Sequence, residues 1–325
     1  MPKIVETVPN FSEGRDQEKI KRIIASFINH PDIKVVNVEP DQDYNRTVVT
    51  LLGESEKMID ALVDFVGVAI NEIDLNHHEG QHPRMGAVDV IPFIPISEVS
   101  MKDCIADAEK LGSVLNMKYD IPVFLYAEAA RNEERVSLPN IRKGEFEGMK
   151  TKITMPEWHP DFGEPRMHPT FGAVAVGARP FLIAYNIDLV TKDEEIPKAI
   201  AKAIRKSNGG FQYIQAGPAY LDQRGHVQVT MNILDYKKNP IYRIFETVKM
   251  EAKRYHVEVS GAEIIGMIPK DALVRSLQYY YDVMKIDTEP KELDLDGIVK
   301  AAEYHLQLRD FSTLKIIESH LGNDL

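Results

Sequence analysis

The sequence predicts an α+β fold made of two similar subdomains, each with the order β-α-β-β-α-β. Short segments rich in Val and Ile alternate apolar with polar residues, as strands do when their two faces meet different surroundings. Between these segments, apolar residues recur every three or four positions, as on one face of a helix. This order of elements occurs twice along the 325 residues, which is the ferredoxin-like, or split βαβ, arrangement.

The first half begins with "KIVETV", whose alternation indicates a strand. In the next segment, "DQEKIKRIIASFIN", isoleucines and a phenylalanine recur at helical spacing. The same two periodicities assign the rest of this half. Its predicted elements are strand 3–8, helix 16–29, strands 33–39 and 46–53, helix 55–73 and strand 87–96.

The second half repeats the pattern, with the turn "DQRG" at 222–225 joining its middle strands. Right-handed crossovers would place both helices of each subdomain on one sheet face. The opposite faces then need cover, so the subdomains either cover each other or enclose a ligand cleft. We predict subdomains 1–180 and 181–325, the second with elements at strand 181–189, helix 193–207, strands 211–221 and 226–234, helix 239–256 and strand 257–269.

The halves are joined by a helix at 98–116, a strand at 121–130 and a helical piece at 137–149. A segment rich in Pro and Gly follows at 154–180, and we expect it to be an irregular functional loop because of its length. The remaining residues, 270–325, predict two or three helices joined by a charged linker.

Composition excludes several function classes. Acidic residues number 50 and basic residues 39, and a net charge of -11 disfavours nucleic-acid binding. No segment has the ~20 consecutive apolar residues of a membrane span. Cys104 is the sole cysteine, so no disulfide forms within the chain, and we expect a small buried side chain in a cytoplasmic protein.

Three histidines, His77, His78 and His82, lie within six positions in "HHEGQHPRMGAVDVIPFIPI". They predict a metal site, a catalytic base, or solvated loop residues. Gly80 and Pro83 interrupt the spacing that a helical metal site needs, and no cysteine is near, so metal binding is disfavoured. The catalytic interpretation favours His82, since Pro83 holds it extended and a core strand follows.

Residues around this stretch suit ligand binding. Arg84 has the geometry to clamp a carboxylate, Gly86 permits close backbone approach, and Asp89 follows on the strand. "VPNFSEGR" at 8–15 predicts either a helix entry capped by Ser12 or Asp16, or an anion site that uses Asn10.

Two further segments leave alternatives open. Arg46 in "DYNRT" is either a substrate-binding side chain or a solvated edge residue. Trp158, Phe162 and Phe171 predict either packing or a flat pocket. The chain has no dinucleotide fingerprint, P-loop or nucleophile elbow, which disfavours nucleotide-driven chemistry and serine hydrolysis.

Taken together, the motifs resemble the glutamate formimidoyltransferase family, the formiminotransferase part of formiminotransferase–cyclodeaminase. The resemblance is densest over 3–190 and rests on six segments. They are "VPNFSEGR", "NRTVVT", "HPRMGAVDVIPFIPI", "LYAEAARNEER", "LPNIRKGEFEG" and "PDFGEPRMHPTFGAVAVGARPFLIAYNIDL".

The resemblance implies transfer of a formimino group between N-formimino-L-glutamate and N5 of tetrahydrofolate, the co-substrate, in histidine degradation. It implies two ferredoxin-like subdomains with a folate cleft between them, a homodimer, and a separate cyclodeaminase as a further partner. No metal is expected, since formimino transfer is neither hydrolysis nor redox chemistry. Formyl transfer from 5-formyltetrahydrofolate and folate binding without turnover remain alternatives.

The family's catalytic histidine corresponds to His82, whereas His77 and His78 precede the motif and inherit no role. We expect substrate contacts from Asn10, Glu39, Arg46, Arg84 and Gly86, and the family has an aspartate at the position of Glu39. The implied folate-contacting stretch is Gly163, Glu164, Pro165, Arg166, Met167, His168, Pro169, Thr170, Phe171 and Gly172.

Overall fold

Two sheets organise the protein, one in each of the units Met1–Pro180 and Phe181–Leu325. The structure, a computed structural model, describes residues 3–42, 44–221 and 226–321. The predicted turn at 222–225 lies outside the described residues. Within those residues the fold is a mixed α/β arrangement of helices and two sheets.

The first unit follows the predicted order and adds strands after it. Its first helix begins after Asp16, whose carboxylate accepts the backbone N–H groups of Glu18 and Lys19, so the predicted cap at Asp16 is confirmed. The elements are β1 (Ile4–Thr7), β2 (Asn10–Phe11), α1 (Gln17–Ala25), β3 (Ile33–Asp41), β4 (Arg46–Glu54), α2 (Ser55–Glu72), β5 (Val88–Ser97), α3 (Met101–Tyr119), β6 (Val123–Ala127), α4 (Leu138–Arg142), α5 (Glu145–Lys152) and β7 (Val174–Ala178).

The sheet of this unit has β1 between β4 and β5, with β3 on the far side of β4. All of these pairings are antiparallel, and β2 continues the line of β1 by pairing with the same two neighbours. Beyond β5, β7 and then β6 add parallel strands. Helices α1, α2 and α3 cover one face, where Phe11, Leu51 and Phe93 enter the main core.

Strand β7 contradicts the predicted irregular loop over 154–180. Its sequence, "VAVGA", is short and lacks alternation because every residue is buried on both sides. Parallel strands in the middle of a sheet are covered on both faces, so the period of two disappears. The predicted single helix at 137–149 is also wrong, since Gly144 with φ 97° separates α4 from α5.

The second unit has a four-stranded antiparallel sheet within the described residues, in the order β11, β8, β10, β9. As in the first unit, the first strand of the repeat lies between the third and the fourth. The elements are β8 (Ile183–Leu189), α6 (Glu195–Ile204), β9 (Ile214–Leu221), β10 (His226–Ile233), α7 (Ile241–Lys253), β11 (Val259–Ile265), α8 (Lys270–Met284) and α9 (Leu295–His305).

Candidate active site

Three loops that the sequence analysis singled out separately meet at Asn45. Its side-chain oxygen accepts the N–H of Gly14 at 2.9 Å, and its amide nitrogen donates to the carbonyl of Glu79 at 2.8 Å. The carbonyl of Asn45 accepts a hydrogen bond from Nε2 of His78 at 2.8 Å. Asn45 has φ 49°, a left-handed conformation that asparagine tolerates well. The loops at 12–15, 44–46 and 77–82 therefore form one structure.

His82 lies at the inner end of this structure and is only 2% exposed. Its backbone N–H donates to the carbonyl of Tyr44 at 3.3 Å. Its Nε2 is buried, has no hydrogen-bond partner within the described residues, and lies 3.6 Å from Oδ2 of Asp89. In contrast, the side chain of His77 is 85% exposed. The histidines thus occupy different environments, and His82 alone of the three is fully enclosed.

Asp89 reaches His82 because β5 bulges. Opposite β2, Asn10 pairs with Val90 and Phe11 with Val88, so Asp89 is the extra residue between them. Such bulges redirect side chains and are common beside active sites. This register, which the sequence pattern did not reveal, brings a fully buried carboxylate to the histidine.

The carboxylate of Asp89 is held from two sides. Its Oδ1 accepts the backbone N–H of Met85 at 2.7 Å, and its Oδ2 accepts Nε of Arg142 at 2.8 Å as well as a second guanidinium nitrogen. Burial acts to raise the pKa of Asp89, but Arg142, His82 and the Met85 N–H outweigh it and hold this pKa below its ordinary value. Asp89 is therefore ionised at neutral pH.

Arg84 has partners other than the expected substrate carboxylate. One terminal nitrogen donates to Glu145 at 2.9 Å and to Glu147 at 3.1 Å, and the other donates to Glu147 at 2.7 Å. Its side chain is only 8% exposed. Arg84 therefore ties the loop at 77–87, the histidine loop, to α5, and any substrate carboxylate must compete with two glutamates.

Gly86 joins the histidine loop to the glycine-rich stretch at 163–172. Its carbonyl accepts a hydrogen bond from the hydroxyl of Ser12 at 2.8 Å. The Ser12 side chain therefore links two loops and does not cap the first helix. The backbone of 85–87 pairs with that of 171–173 through two hydrogen bonds, Ala87 N–H to the Phe171 carbonyl at 2.7 Å and Ala173 N–H to the Met85 carbonyl at 3.0 Å. A Cβ at Gly86 would lie 2.0 Å from the carbonyl oxygen of Ala173, so the approach requires glycine.

The predicted folate-contacting stretch ends in a tight loop closed by His168 and Gly172, which exchange backbone hydrogen bonds. Nδ1 of His168 accepts the N–H of Phe171 at 3.1 Å and that of Thr170 at 3.4 Å. Burial lowers the pKa of His168, with Arg166 acting in the same direction and Asp120 against it. The imidazole is therefore a neutral acceptor that shapes the loop.

The rest of this stretch runs along the surface. Gly163, Glu164, Arg166 and Pro169 are exposed, and Pro165, Met167 and Thr170 are half-buried. Arg166 forms an ion pair with Asp120. The polar groups of the stretch are thus open to solvent while its closing loop is fixed.

The three aromatic residues do not share a pocket. Phe171 is fully buried in the main core, and Phe162 packs against that same core. Trp158 packs against a second cluster on the other side of the sheet, with the ammonium group of Lys152 3.7 Å from its ring centre. This arrangement favours the packing interpretation.

Asn10, Glu39 and Arg46 lie on one face of the first sheet. Asn10 and Glu39 both pair with Val48, one from each side, and Arg46 is two residues before Val48 on the same strand. The helices cover the opposite face, where Val49 is buried. Glu39 is exposed, and the half-buried guanidinium of Arg46 lies 5.3 Å above the ring of Tyr44. Three of the expected substrate residues are therefore neighbours.

Sequence reasoning missed several charged groups on this face. Glu6 is 3% exposed, and burial raises its pKa to about 7 against the opposing effect of Arg179. Burial likewise raises the pKa of Tyr126, which Arg179 and Arg142 moderate. In the sequence, Glu6 looked like any polar residue of an alternating strand. Nothing in the segment "LPNIR" indicated that Arg142 would contact Asp89.

A metal centre has no candidate in the described parts of the chain, where no group of three or more His, Cys, Asp or Glu side chains is arranged to hold an ion. Cys104 is buried and unpaired as expected, and burial raises the pKa of its thiol to about 12. Among the described helices, none is both long and apolar enough to cross a bilayer.

Comparison with known proteins identifies the family. Residues 4–179 match the model of the formiminotransferase domain, N-terminal subdomain, and residues 184–319 match that of the formiminotransferase domain. The chain belongs to the formiminotransferase family. Both units of the chain therefore lie within a two-part architecture that the family shares.

Named relatives in this formiminotransferase family cover most of the chain. Glutamate formimidoyltransferase of Streptococcus pyogenes serotype M1 is 41% identical over 90% of this chain and 98% of its own. The Thermoplasma acidophilum protein of the same name is 42% identical over 87% and 94%. Formimidoyltransferase-cyclodeaminase of Gallus gallus is 38% identical over 88% of this chain but only 54% of its own.

Proposed function

We propose that the protein is a glutamate formimidoyltransferase, which transfers a formimino group between N-formimino-L-glutamate and tetrahydrofolate. The observation that carries this proposal is the 41% identity with a relative of that name over 98% of the relative's length. The buried His82–Asp89 pair supports an enzyme over a binding protein, because binding alone does not need an enclosed acid–base pair.

His82 acts as the general acid and base. N5 of tetrahydrofolate attacks the formimino carbon of formiminoglutamate and gives its proton to the imidazole. The tetrahedral intermediate then breaks its bond to the glutamate nitrogen, which takes the proton back from the imidazolium. One side chain serves both steps because an imidazole can accept a proton and then donate it. The mechanism needs no metal.

Substrate contacts come from one face of the first sheet and from the glycine-rich stretch. Asn10 and Arg46 bind glutamate groups, Glu39 faces the same region, and Arg84 and Gly86 hold the histidine loop in place. Residues 163–172 contact the folate through their exposed backbone and polar groups, while Phe171 anchors the loop. The overall net charge of -11 disfavours the approach of anionic substrates, and Arg46 supplies a positive charge locally on this face.

The fold proposal is that each unit is a ferredoxin-like subdomain. The strand order supports it, since both units place the first strand of the repeat between the third and the fourth. A cytoplasmic homodimer and a separate cyclodeaminase partner complete the proposal, and the existence of relatives named formimidoyltransferase-cyclodeaminase supports the latter.

A direct assay tests the activity. Formiminoglutamate and tetrahydrofolate are mixed with the protein, and released glutamate and the folate product are detected by mass; 5-formyltetrahydrofolate with glutamate is run alongside. Turnover of the first pair is expected. Folate binding without product in either assay would refute the proposed transferase activity.

The same assay tests His82. His82→Asn is expected to lower kcat by about 10²–10⁴-fold, the usual contribution of a general acid–base group. His77→Asn is the matched control, because this imidazole is in the same loop but is 85% exposed, and it should retain activity. Full activity of folded His82→Asn would remove the histidine from the mechanism.

A further inference from the structure

One ring nitrogen of His82, Nε2, faces a buried carboxylate. Nε2 is buried and faces the Asp89 carboxylate at 3.6 Å, so no substrate reaches it in this arrangement. Asp89 is itself fully buried and accepts hydrogen bonds from Met85 and Arg142 on its two oxygens. An ionised carboxylate only accepts hydrogen bonds, so the nitrogen that faces it carries the proton.

We propose that Asp89 is the positioning residue of His82: it holds the proton on Nε2 and so makes Nδ1 the nitrogen that exchanges protons with the substrates. The inference rests on the proposed acid–base role of His82. Catalytic hydrogen bonds are often long without substrate, and 3.6 Å closes to a hydrogen bond with a small movement of the ring.

Arg142 supports this role of Asp89 by holding its carboxylate. It is on α4, 53 positions after Asp89, and donates two hydrogen bonds to the same oxygen that faces His82. Its positive charge keeps Asp89 ionised in a buried place, where a carboxyl group would otherwise take up a proton. Asp89 can therefore stabilise the imidazolium that forms when His82 accepts the substrate proton.

Several titratable and charged groups surround His82. Asp89 faces it from β5, with Arg142 behind from α4. From its own loop come His78 and Arg84, and the charge of Arg84 is offset by two glutamates of α5, Glu145 and Glu147. Tyr126 of β6 lies near Asp89 and Arg142 and stays neutral, since burial raises its pKa. Among these groups, Asp89 is the negative charge in direct reach of the ring.

The first unit contains a second aspartate–arginine pair, with which no histidine forms an ion pair among the described residues. The side chain of Asp161 is buried, and its Oδ2 accepts the backbone N–H of Leu125 at 2.8 Å and a guanidinium nitrogen of Arg135 at 2.7 Å. Replacing either aspartate with asparagine removes a buried charge from an arginine. Only Asp89 should also change the chemistry of His82.

The wild-type protein gives the first test. Imidazole ¹⁵N chemical shifts distinguish the two neutral tautomers, and His82 among the 10 histidines is assigned by comparison with His82→Asn. We expect the proton on Nε2 and a free lone pair on Nδ1. A proton on Nδ1 would overturn the proposal, and this measurement needs no Asp89 variant that folds.

The second test compares Asp89→Asn with Asp161→Asn in the full chain. Asp89→Asn should lower kcat by about 100-fold or more with KM within about 3-fold, as expected for a group that acts only in the reaction. It should also move the histidine limb of the pH profile of kcat to lower pH, because the imidazolium loses its carboxylate. Asp161→Asn should lower thermal stability and leave that limb in place.

The outcomes separate the two proposals. An active, folded His82→Asn protein overturns the acid–base role itself. An inactive His82→Asn protein combined with an Asp89→Asn protein of unchanged kcat and pH limb overturns only the role of Asp89. If the histidine limb of the kcat pH profile lies at the same pH in Asp89→Asn and Asp161→Asn, Asp89 has only a structural role.

Discussion

Glu6 is a buried carboxyl group on the polar face of the first sheet, and its burial lowers stability when it is ionised. It lies on β1 between Leu52 of β4 and Ile94 of β5, both fully buried, so water does not solvate its carboxylate. Burial therefore raises its pKa to about 7, although Arg179 partly offsets the effect. Near neutral pH the group is divided between its two protonation states.

This shift predicts how stability depends on pH. The folded pKa of about 7 lies above the ordinary 4.5, so the stability associated with this group is full below pH 4.5 and is lost as the pH rises through 7. Glu6→Gln stays neutral, and it should exceed the wild type in free energy of unfolding at pH 8 by up to about 3 kcal/mol.

Denaturant unfolding at pH 5 and pH 8 measures this difference. Glu134→Gln is the control, because Glu134 is exposed and surface substitutions usually change the free energy of unfolding by less than about 0.5 kcal/mol. A Glu6→Gln protein that differs from the wild type equally at both pH values would contradict the expected titration.

Elements in the first unit are held by backbone contacts between distant loops as much as by helices and strands. The histidine loop pairs with residues 171–173, and Gly86 and Gly172 form a β-bridge within that contact. The same loop is tied to α5 by Arg84. Its position therefore depends on two segments far along the chain.

A pair of glycine substitutions tests this contact. Gly86→Ala places a methyl group 2.0 Å from the Ala173 carbonyl and should lower the free energy of unfolding by about 1–3 kcal/mol. Gly148→Ala in α5 meets nothing within 4 Å and should raise it by about 0.5–1 kcal/mol through better helix propensity. Urea unfolding measures both, and an increase for Gly86→Ala would contradict the close approach.

At the scale of the whole molecule, each unit has polar groups on the sheet face opposite the one that packs against the helices of the repeat. In the first unit the polar face contains Glu6, Asn10, Glu39 and Arg46. In the second unit, Gln228 of β10 donates to Asp188 of β8 and Glu263 of β11 on the corresponding face. The two halves thus share an architecture but use different polar groups.

The proposed homodimer is also tested at this scale. Sedimentation of the purified chain should give a mass of about twice 36.8 kDa, because the resemblance implies two subunits. The measurement is made across a tenfold range of concentration. A mass that stays at 36.8 kDa throughout would remove the dimer from the proposal.

Much of the element order was predictable because helices and strands depend on periodicities within a few residues. The cap at Asp16, the order of elements in both halves and the burial of Cys104 follow from such local patterns. Strand β7 was missed because a strand buried on both faces has no alternation. The break at Gly144 was missed because nothing in the helical spacing indicated it.

By itself, the sequence determined the periodic elements, the family resemblance and the choice of His82 among three histidines. Only the tertiary structure decided what surrounds that histidine. Asp89 meets His82 through a bulge, Arg142 joins them from 53 residues away, and Arg84 meets glutamates 61 and 63 residues away. The physical reason is that charges interact through space, and strand register and loop packing set which distant charges become neighbours.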